Sequence, residues 1–435
     1  MLALLLVFLQ KLLSTGPNMP SLIRILRVLA LGSLGAGIFN FIGMTVVARL
    51  LDPSVFGTFS VYASLVSILA VISTFRLDVL IFQKSFVHAS HIFVLSLFVL
   101  TFFSIVVLVS FLSFDLGRIF FDPSSSKAIA VLIAFGVFCL GGYQTVSAFA
   151  LKQKIYNKIA LARSVQAFVG SIVQVALAIF LKFSFLPLVA GFLISQAFGA
   201  RYLLGRFKYS FSRRSFVSFI SILKKNYRFC SYSSFSTFLL ILSPMLPSII
   251  ISKYLGFVEA GFFYLAVQLT SIPFTFFRRL FSSVALAEGK AFDSEAYLNF
   301  ITNYKKHIYF FIFAFVGFSI IYFFLAEWGF VLVLGEGWEK AGKISAILAP
   351  MFFIDAVSYS CFQLLNVNNR YLGLFFLELL RFSFVVGGVL LVSIYTRDVI
   401  CVAIWYSLSM AFFYLSIVAM LHFYFSGFKG SSNND

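Results

Sequence analysis

The chain presents about twelve apolar stretches, each long enough to cross a bilayer, and its basic residues crowd into every second gap between them. A transmembrane helix needs about 20 mostly apolar residues, and the sequence supplies that length repeatedly. Inside lipid only helices and closed barrels satisfy their own backbone. Barrel strands alternate polar and apolar residues over about 10 positions. The run from Phe93 to Phe114 shows no alternation and no charge, so helices are predicted. With 61% hydrophobic and 11% charged residues, against roughly 25% charged in an ordinary globular domain, a water-soluble fold is excluded. The fold class expected is all-α integral membrane.

Spans are predicted near 28–48, 58–81, 91–114, 128–150, 159–181 and 184–204, then near 229–252, 261–286, 307–326, 344–366, 371–394 and 398–425. The longest polar connection, Gly205 to Arg228, separates the two sets. Of the 33 basic residues, about 25 fall in the N-terminus, the even-numbered gaps and the C-terminus. The mid-chain gap alone carries Arg201, Arg206, Lys208, Arg213, Arg214, Lys224, Lys225 and Arg228. The odd-numbered gaps hold about eight basic residues, offset by about eight acids. The positive-inside rule then places both termini in the cytoplasm, as an even number of spans requires. The formal charge of +18 is accounted for by these anchors, and nucleic acid is not an expected partner.

The first residues are a separate matter. Met1 to Leu9 is apolar, yet short for a span and without the basic start of a signal peptide. Pro17 and Pro20 then break the chain. Residues 1–27 read as a cytoplasmic or interfacial start, or Met19 is the natural first residue.

Shifted by 204 positions, the chain matches itself without a gap over more than forty residues. Arg24 falls on Arg228, Ser33 on Thr237 and Arg49 on Lys253. Leu51 falls on Leu255, Gly57 on Gly261 and Phe59 on Phe263; Leu65, Ser67 and Ile68 fall on Leu269, Ser271 and Ile272. Apolar matches weigh little, but basic and glycine matches at one offset weigh more. Six spans separate the copies, so both enter the membrane in the same direction. Parallel halves of this kind are related by an axis along the membrane normal. Two lobes are expected, 1–212 and 213–435, rocking around a central passage. A fainter echo links Phe121-Asp122-Pro123 and Lys127-Ala128 with Gly335-Glu336-Gly337-Trp338 and Lys340-Ala341.

No catalytic constellation is visible. His88, His91, His307 and His422 lie scattered at helix ends, and Cys139, Cys230, Cys361 and Cys401 lack metal-site spacing. No phosphate-binding loop of the G-x-x-x-x-G-K-[ST] kind occurs. A non-enzyme without metal or cofactor is expected, driven by an ion gradient or by consumption of its cargo on the far side.

The ionisable residues in or near spans are therefore the candidates. Arg76 and Asp78 sit near the inner end of the second span, and Arg278 and Arg279 in the corresponding part of the eighth. Arg24 and Arg228 open the first and seventh. Arginine forks bind phosphate bidentately, so arginines at matching entrances of both lobes suit a phosphorylated cargo loaded from inside. Plain positive-inside anchoring explains the same residues without a cargo, and both accounts stand at this stage. Glu378 and Arg381, three apart, read as a mutually neutralised pair. Asp355 has no sequence-local partner, and an isolated acid in a span is a functional candidate, for a coupling proton or as a cap on a neighbouring helix. Pro244, Pro247 and Pro273 in the seventh and eighth spans, with Gly32, Gly35 and Gly37 in the first, signal either discontinuous helices or close packing.

Ala48-Arg49-Leu50-Leu51-Asp52-Pro53 followed by Phe56-Gly57 resembles the signature that closes the first helix of polysaccharide biosynthesis membrane proteins. These include Wzx-type O-antigen flippases of the multidrug/oligosaccharidyl-lipid/polysaccharide exporter superfamily. Arg76-Leu77-Asp78 is similar to the charged motif ending their second helix, and Lys253-Tyr254-Leu255-Gly256 with Glu259-Ala260-Gly261 to its second-half counterpart. The resemblance implies a two-lobed helical bundle of the bacterial inner membrane. Such a protein turns an undecaprenyl-pyrophosphate-linked oligosaccharide to the outer leaflet by alternating access, beside membrane lipids, a polysaccharide polymerase and a chain-length regulator. Arg24, Arg76, Arg228 and Arg279 are the expected headgroup contacts, with Asp355 and Asp78 for ion coupling. Two alternatives compete: an ion-coupled exporter of small cations, which wants acids in its cavity, and a membrane polymerase or ligase, which wants a large external loop. No outer gap exceeds about 20 residues, and relatives that carry the peptidoglycan precursor are expected to have about fourteen spans.

Overall fold

The structure, a computed structural model, describes residues 19–75, 77–83, 86–121, 126–182, 184–205, 207, 235, 237–288, 320–367 and 371–431. Its long helices are α1 (Met19–Leu50), α2 (Pro53–Ser73), α3 (Phe86–Ser113), α4 (Ser126–Lys152), α5 (Tyr156–Phe180) and α6 (Leu186–Leu204), then α7 (Thr237–Tyr254), α8 (Phe257–Glu288), α9 (Ile320–Leu334), α10 (Glu339–Val367), α11 (Tyr371–Thr396) and α12 (Val399–Ser431). Every predicted span has a helix. Ten of the described helices are long and apolar enough to cross a membrane, and α9 is a shorter apolar helix. Large apolar side chains such as Phe98, Phe102, Phe324 and Phe412 stand exposed, as they do where lipid is the solvent.

The helices form two lobes. In the first, α5 packs on α1 and α6, α6 on α4, and α4 on α2 and α3; in the second, α10 packs on α8 and α12, and α12 on α11. The junction is made by α8 against α2 and α1. The main apolar core runs through both lobes, from Val47, Phe56 and Tyr62 to Phe263, Trp338 and Tyr406. A satellite core of Leu77, Leu80, Ile92, Phe93, Phe149, Ile159 and Leu203 closes one end of the first lobe. The boundary expected at 212/213 lies outside the described residues, as do residues 1–18.

Three expectations change in detail. The second span is not one helix to residue 81: α2 stops at Ser73, Phe75 takes φ +45°, and a short helix Leu77–Gln83 follows. A non-glycine residue at positive φ cannot continue a right-handed helix. The ninth helix runs past residue 326 to Leu334, and Glu327 within it pairs with Lys343 at 3.2 Å. The glycines of α1 mark close packing rather than a break: α1 is continuous, a Cβ on Gly32 or Gly35 would crowd Ala160 or Ser164, and one on Gly43 would strike Ser171. The serines use that proximity, Ser164 donating to the Gly32 carbonyl at 3.0 Å and Ser171 to that of Phe39 at 2.9 Å. Small residues let helix backbones approach, and hydroxyls then join them. Likewise α7 runs unbroken through Pro244 and Pro247, and α8 through Pro273.

Candidate functional site

The lobes meet where α2 and α8 begin. Pro53 stands at the start of α2, where its missing N–H costs nothing. Gly57 lies against the backbone carbonyl of Phe257, and Gly261 against that of Pro53. Either Cβ would fall far inside van der Waals contact, so only glycine permits this crossing. Arg49, in the last turn of α1, reaches across to the end of α9: its Nε and Nη2 donate to the carbonyls of Val333 and Leu332, both at 2.8 Å. The last carbonyls of a helix lack partners within it and carry its negative end, and one guanidinium fork satisfies two of them. Gly335, at φ +110°, turns the chain after α9 into a short 3₁₀ turn that delivers Trp338. The buried indole donates to the Ala48 carbonyl at 2.9 Å and meets Phe56 and Phe262 edge-on. Lys340 binds Glu259 at 2.7 Å beside it.

Deeper in the second lobe lies a cluster of charge. Asp355 on α10 is 8% exposed and accepts from Arg278 of α8 at 3.1 Å. The Arg278 guanidinium rests 3.8 Å from the Tyr359 ring centroid, one turn along α10 from Asp355. On α11, Arg381 pairs with Glu378, both almost wholly buried, and its Nη2 donates to the Leu240 carbonyl at 3.2 Å. Two arginines and two carboxylates thus sum to zero. Burying an ion costs several kcal/mol even after relaxation, about as much as good pairing returns, so the four charges hold each other in place.

The expected site residues fare unequally. Asp355 does not stand alone: Arg278 is its partner, 77 residues away in sequence. The pairing of Glu378 with Arg381 is as read from their spacing. Asp78 lies in the first turn of the short helix Leu77–Gln83, where its charge suits the helix dipole, and has neighbours that engage it. Arg76 and Arg228 lie outside the described residues; Arg24 and Arg279 are placed on α1 and α8, without description of their side chains. The engaged arginine is Arg278, not the neighbouring Arg279 expected to contact the headgroup, and the Arg49 and Trp338 clasp lies on two sequence motifs whose contact no local signal gives. Among the described residues no group of three or more metal-ligating side chains occurs.

Two helical lobes joined by a symmetric crossing, with ionised groups held inside the helices, define a polytopic helical membrane protein. The fold is similar to an inward-facing multidrug resistance MATE family transporter of the MOP superfamily, at TM-score 0.71 and 14% identity, over 91% of this chain and 96% of that one. It is similar to the lipid II flippase MurJ in an inward closed conformation, at TM-score 0.67 and 12% identity, over 90% and 86%. A third likeness is to MATE in complex with MaL6, at TM-score 0.61 and 16% identity, over 97% and 99%. No curated protein matches by sequence. Residues 46–343 match the family described as polysaccharide biosynthesis protein, and the chain belongs to that family.

Proposed function

We propose that the protein flips an undecaprenyl-pyrophosphate-linked oligosaccharide, the repeat unit of an O-antigen or other surface polysaccharide, from the cytoplasmic to the outer leaflet of the bacterial inner membrane. The observation that carries this reading is the family match, which spans the interlobe crossing and most of both lobes. The distribution of basic residues supports cytoplasmic termini. In that orientation the Gly57/Gly261 crossing and the Arg49 clasp seal the outer end, the state in which cargo is loaded from inside. Arg24, Arg76, Arg228 and Arg279 then stand at the inner entrances as contacts for the pyrophosphate, while the lipid tail stays in the bilayer. Asp355 and Asp78 are the acids for ion coupling, and Arg278 is the cation that faces Asp355. A polymerase and a chain-length regulator on the outer side would consume the product.

Deletion of the gene, followed by assignment of the undecaprenyl-linked saccharide to a leaflet, tests the reading. Repeat units held in the inner leaflet with no surface polymer are expected. Single repeat units on the outer surface would instead mark a polymerase, and normal polymer with new drug sensitivity would mark a small-molecule exporter. Either result overturns the proposal.

A further inference from the structure

The two lobes differ in how they treat an arginine on their fifth helix. In the second lobe Arg381 on α11 is neutralised by Glu378, one turn earlier, and is 2% exposed. In the first lobe Arg163 on α5 has Ala160 at the equivalent spacing. Arg163 is half-buried, and among the described residues it makes no ion pair or hydrogen bond. It lies seven residues into a candidate span, roughly 10 Å from the helix start. An uncompensated charge at such a depth is expensive and marks function by default.

Helical geometry decides where that charge points. Leu161, Phe168, Ile172 and Ile179 form the exposed, lipid-facing side of α5. Ala160, Ser164 and Ser171 face α1. Arg163 shares the third face with Gln166, Gly170 and Gln174, at i, i+3, i+7 and i+11. This face meets α6: Gln166 donates to Gln196 at 2.8 Å, Gly170 packs on Ser195, and Gln174 contacts Gly191. Arg163 therefore points into the lobe and away from lipid, yet it remains partly accessible. One turn along, Gly199 brings α4 to the same place, since a Cβ there would stand 2.9 Å from the Tyr143 ring and 3.0 Å from Gln166 Oε1. The Tyr143 hydroxyl is buried and finds no hydrogen-bond partner among the described residues. An unpaired guanidinium thus stands on the same helix face, one turn from the place where the Tyr143 ring and two carboxamides meet between α4, α5 and α6.

We propose that this junction of α4, α5 and α6 in the first lobe is a binding site for an anionic, hydroxyl-rich headgroup, with Arg163 as the anion ligand and Tyr143, Gln166 and Gln196 reading hydroxyls. The inference rests on the flippase reading for the headgroup's identity, but the site itself does not depend on it. Among the described side chains, the second lobe's Arg278 and Arg381 are engaged by Asp355 and Glu378, whereas Arg163 in the first lobe keeps its charge for an arriving anion. The anion is either a diphosphate or the carboxylate of an acidic sugar. The test uses the purified full chain in nanodiscs, titrated with inorganic pyrophosphate and, separately, with glucuronate at matched ionic strength, and followed by tryptophan fluorescence. Saturable binding of one anion is expected, and which one identifies the source. Arg163→Gln should weaken it by about tenfold or more, Arg163→Lys by less, and Arg118→Gln, on an exposed residue paired with Asp115, not at all. A second measurement needs no ligand: Arg163→Cys, with Cys139, Cys230, Cys361 and Cys401 replaced by serine, should react with a membrane-impermeant thiol reagent. Unaltered anion binding in Arg163→Gln, or an introduced thiol closed to the reagent in Arg163→Cys, overturns the site. Normal polymer after gene deletion would overturn the flippase reading and leave the site standing.

Discussion

Gly57 lies on the Phe257 carbonyl and Gly261 on the Pro53 carbonyl, and each residue of the first pair is 204 positions from its counterpart in the second. The internal repeat therefore meets itself at the junction, around a local two-fold axis. Replacing either glycine with alanine should be equally damaging, because each Cβ strikes backbone that cannot rotate away. Overpacking costs about 1–3 kcal/mol in a core, and here it acts at the point where two lobes close. Gly57→Ala and Gly261→Ala should each cut surface polymer at least about tenfold, the equivalent of 1.4 kcal/mol, at wild-type membrane levels. Gly256→Ala is a different case: nothing crowds its Cβ, and its φ of +101° makes the cost purely conformational. Asymmetric outcomes at positions 57 and 261 would refute the two-fold relationship.

Much of this was legible in the chain itself. Repeat register, span count and the pairing of Glu378 with Arg381 follow from local rules, because helix period and hydropathy act over a few residues. That Gly57 would touch the second lobe was not legible, since an offset between copies says nothing about which faces meet. Nor was the partner of Asp355: Arg278 and Arg279 differ by about 100° around the helix, and only packing decides which one faces α10. Arg163 lies inside a predicted span, but nothing in the local sequence sets it apart from an anchor.

Trp338 and Arg49 secure the junction by different means, so their variants should separate. Trp338→Phe keeps most of the ring contact with Phe56 and Phe262 but loses the bond to Ala48, which is worth about 1 kcal/mol. Arg49→Lys keeps the charge and loses the fork that holds two carbonyls. Both should raise the population with the junction open. Cysteine-labelling rates at a probe placed between α2 and α8 should rise about fivefold for Trp338→Phe and more for Arg49→Lys. Unchanged labelling would mean that the clasp is not a gate.

Packing of α1 on α5 depends on Gly32, Gly43, Ser164 and Ser171. Gly43→Leu should destabilise the first lobe by about 1–3 kcal/mol, whereas Ser171→Ala, which removes a hydroxyl and a membrane hydrogen bond, should cost about 0.6 kcal/mol. Thermal unfolding in detergent, read by tryptophan fluorescence, ranks the two. A larger loss for Ser171→Ala would show that hydrogen bonding, not close approach, joins these helices.

The charges in the second lobe permit a sharper test. Asp355→Asn leaves Arg278 without its carboxylate, and Arg278→Gln leaves Asp355 buried without its cation. Breaking a buried pair on one side costs about 3–5 kcal/mol, yet removing both charges is often close to neutral. Asp355→Asn combined with Arg278→Gln should therefore be more stable than either single variant, a coupling seen directly as a thermal shift in a double-mutant cycle. Stability and transport then part company. If the pair is only structural, the double variant should regain polymer export along with its melting temperature. If Asp355 carries the coupling proton, the double variant should be stable yet export at least about tenfold less, since an asparagine cannot accept the proton that a vacated carboxylate would. The second outcome is expected, because an ionisable acid kept buried inside a span marks function by default. Full export by a stable double variant would reduce the cluster to a scaffold.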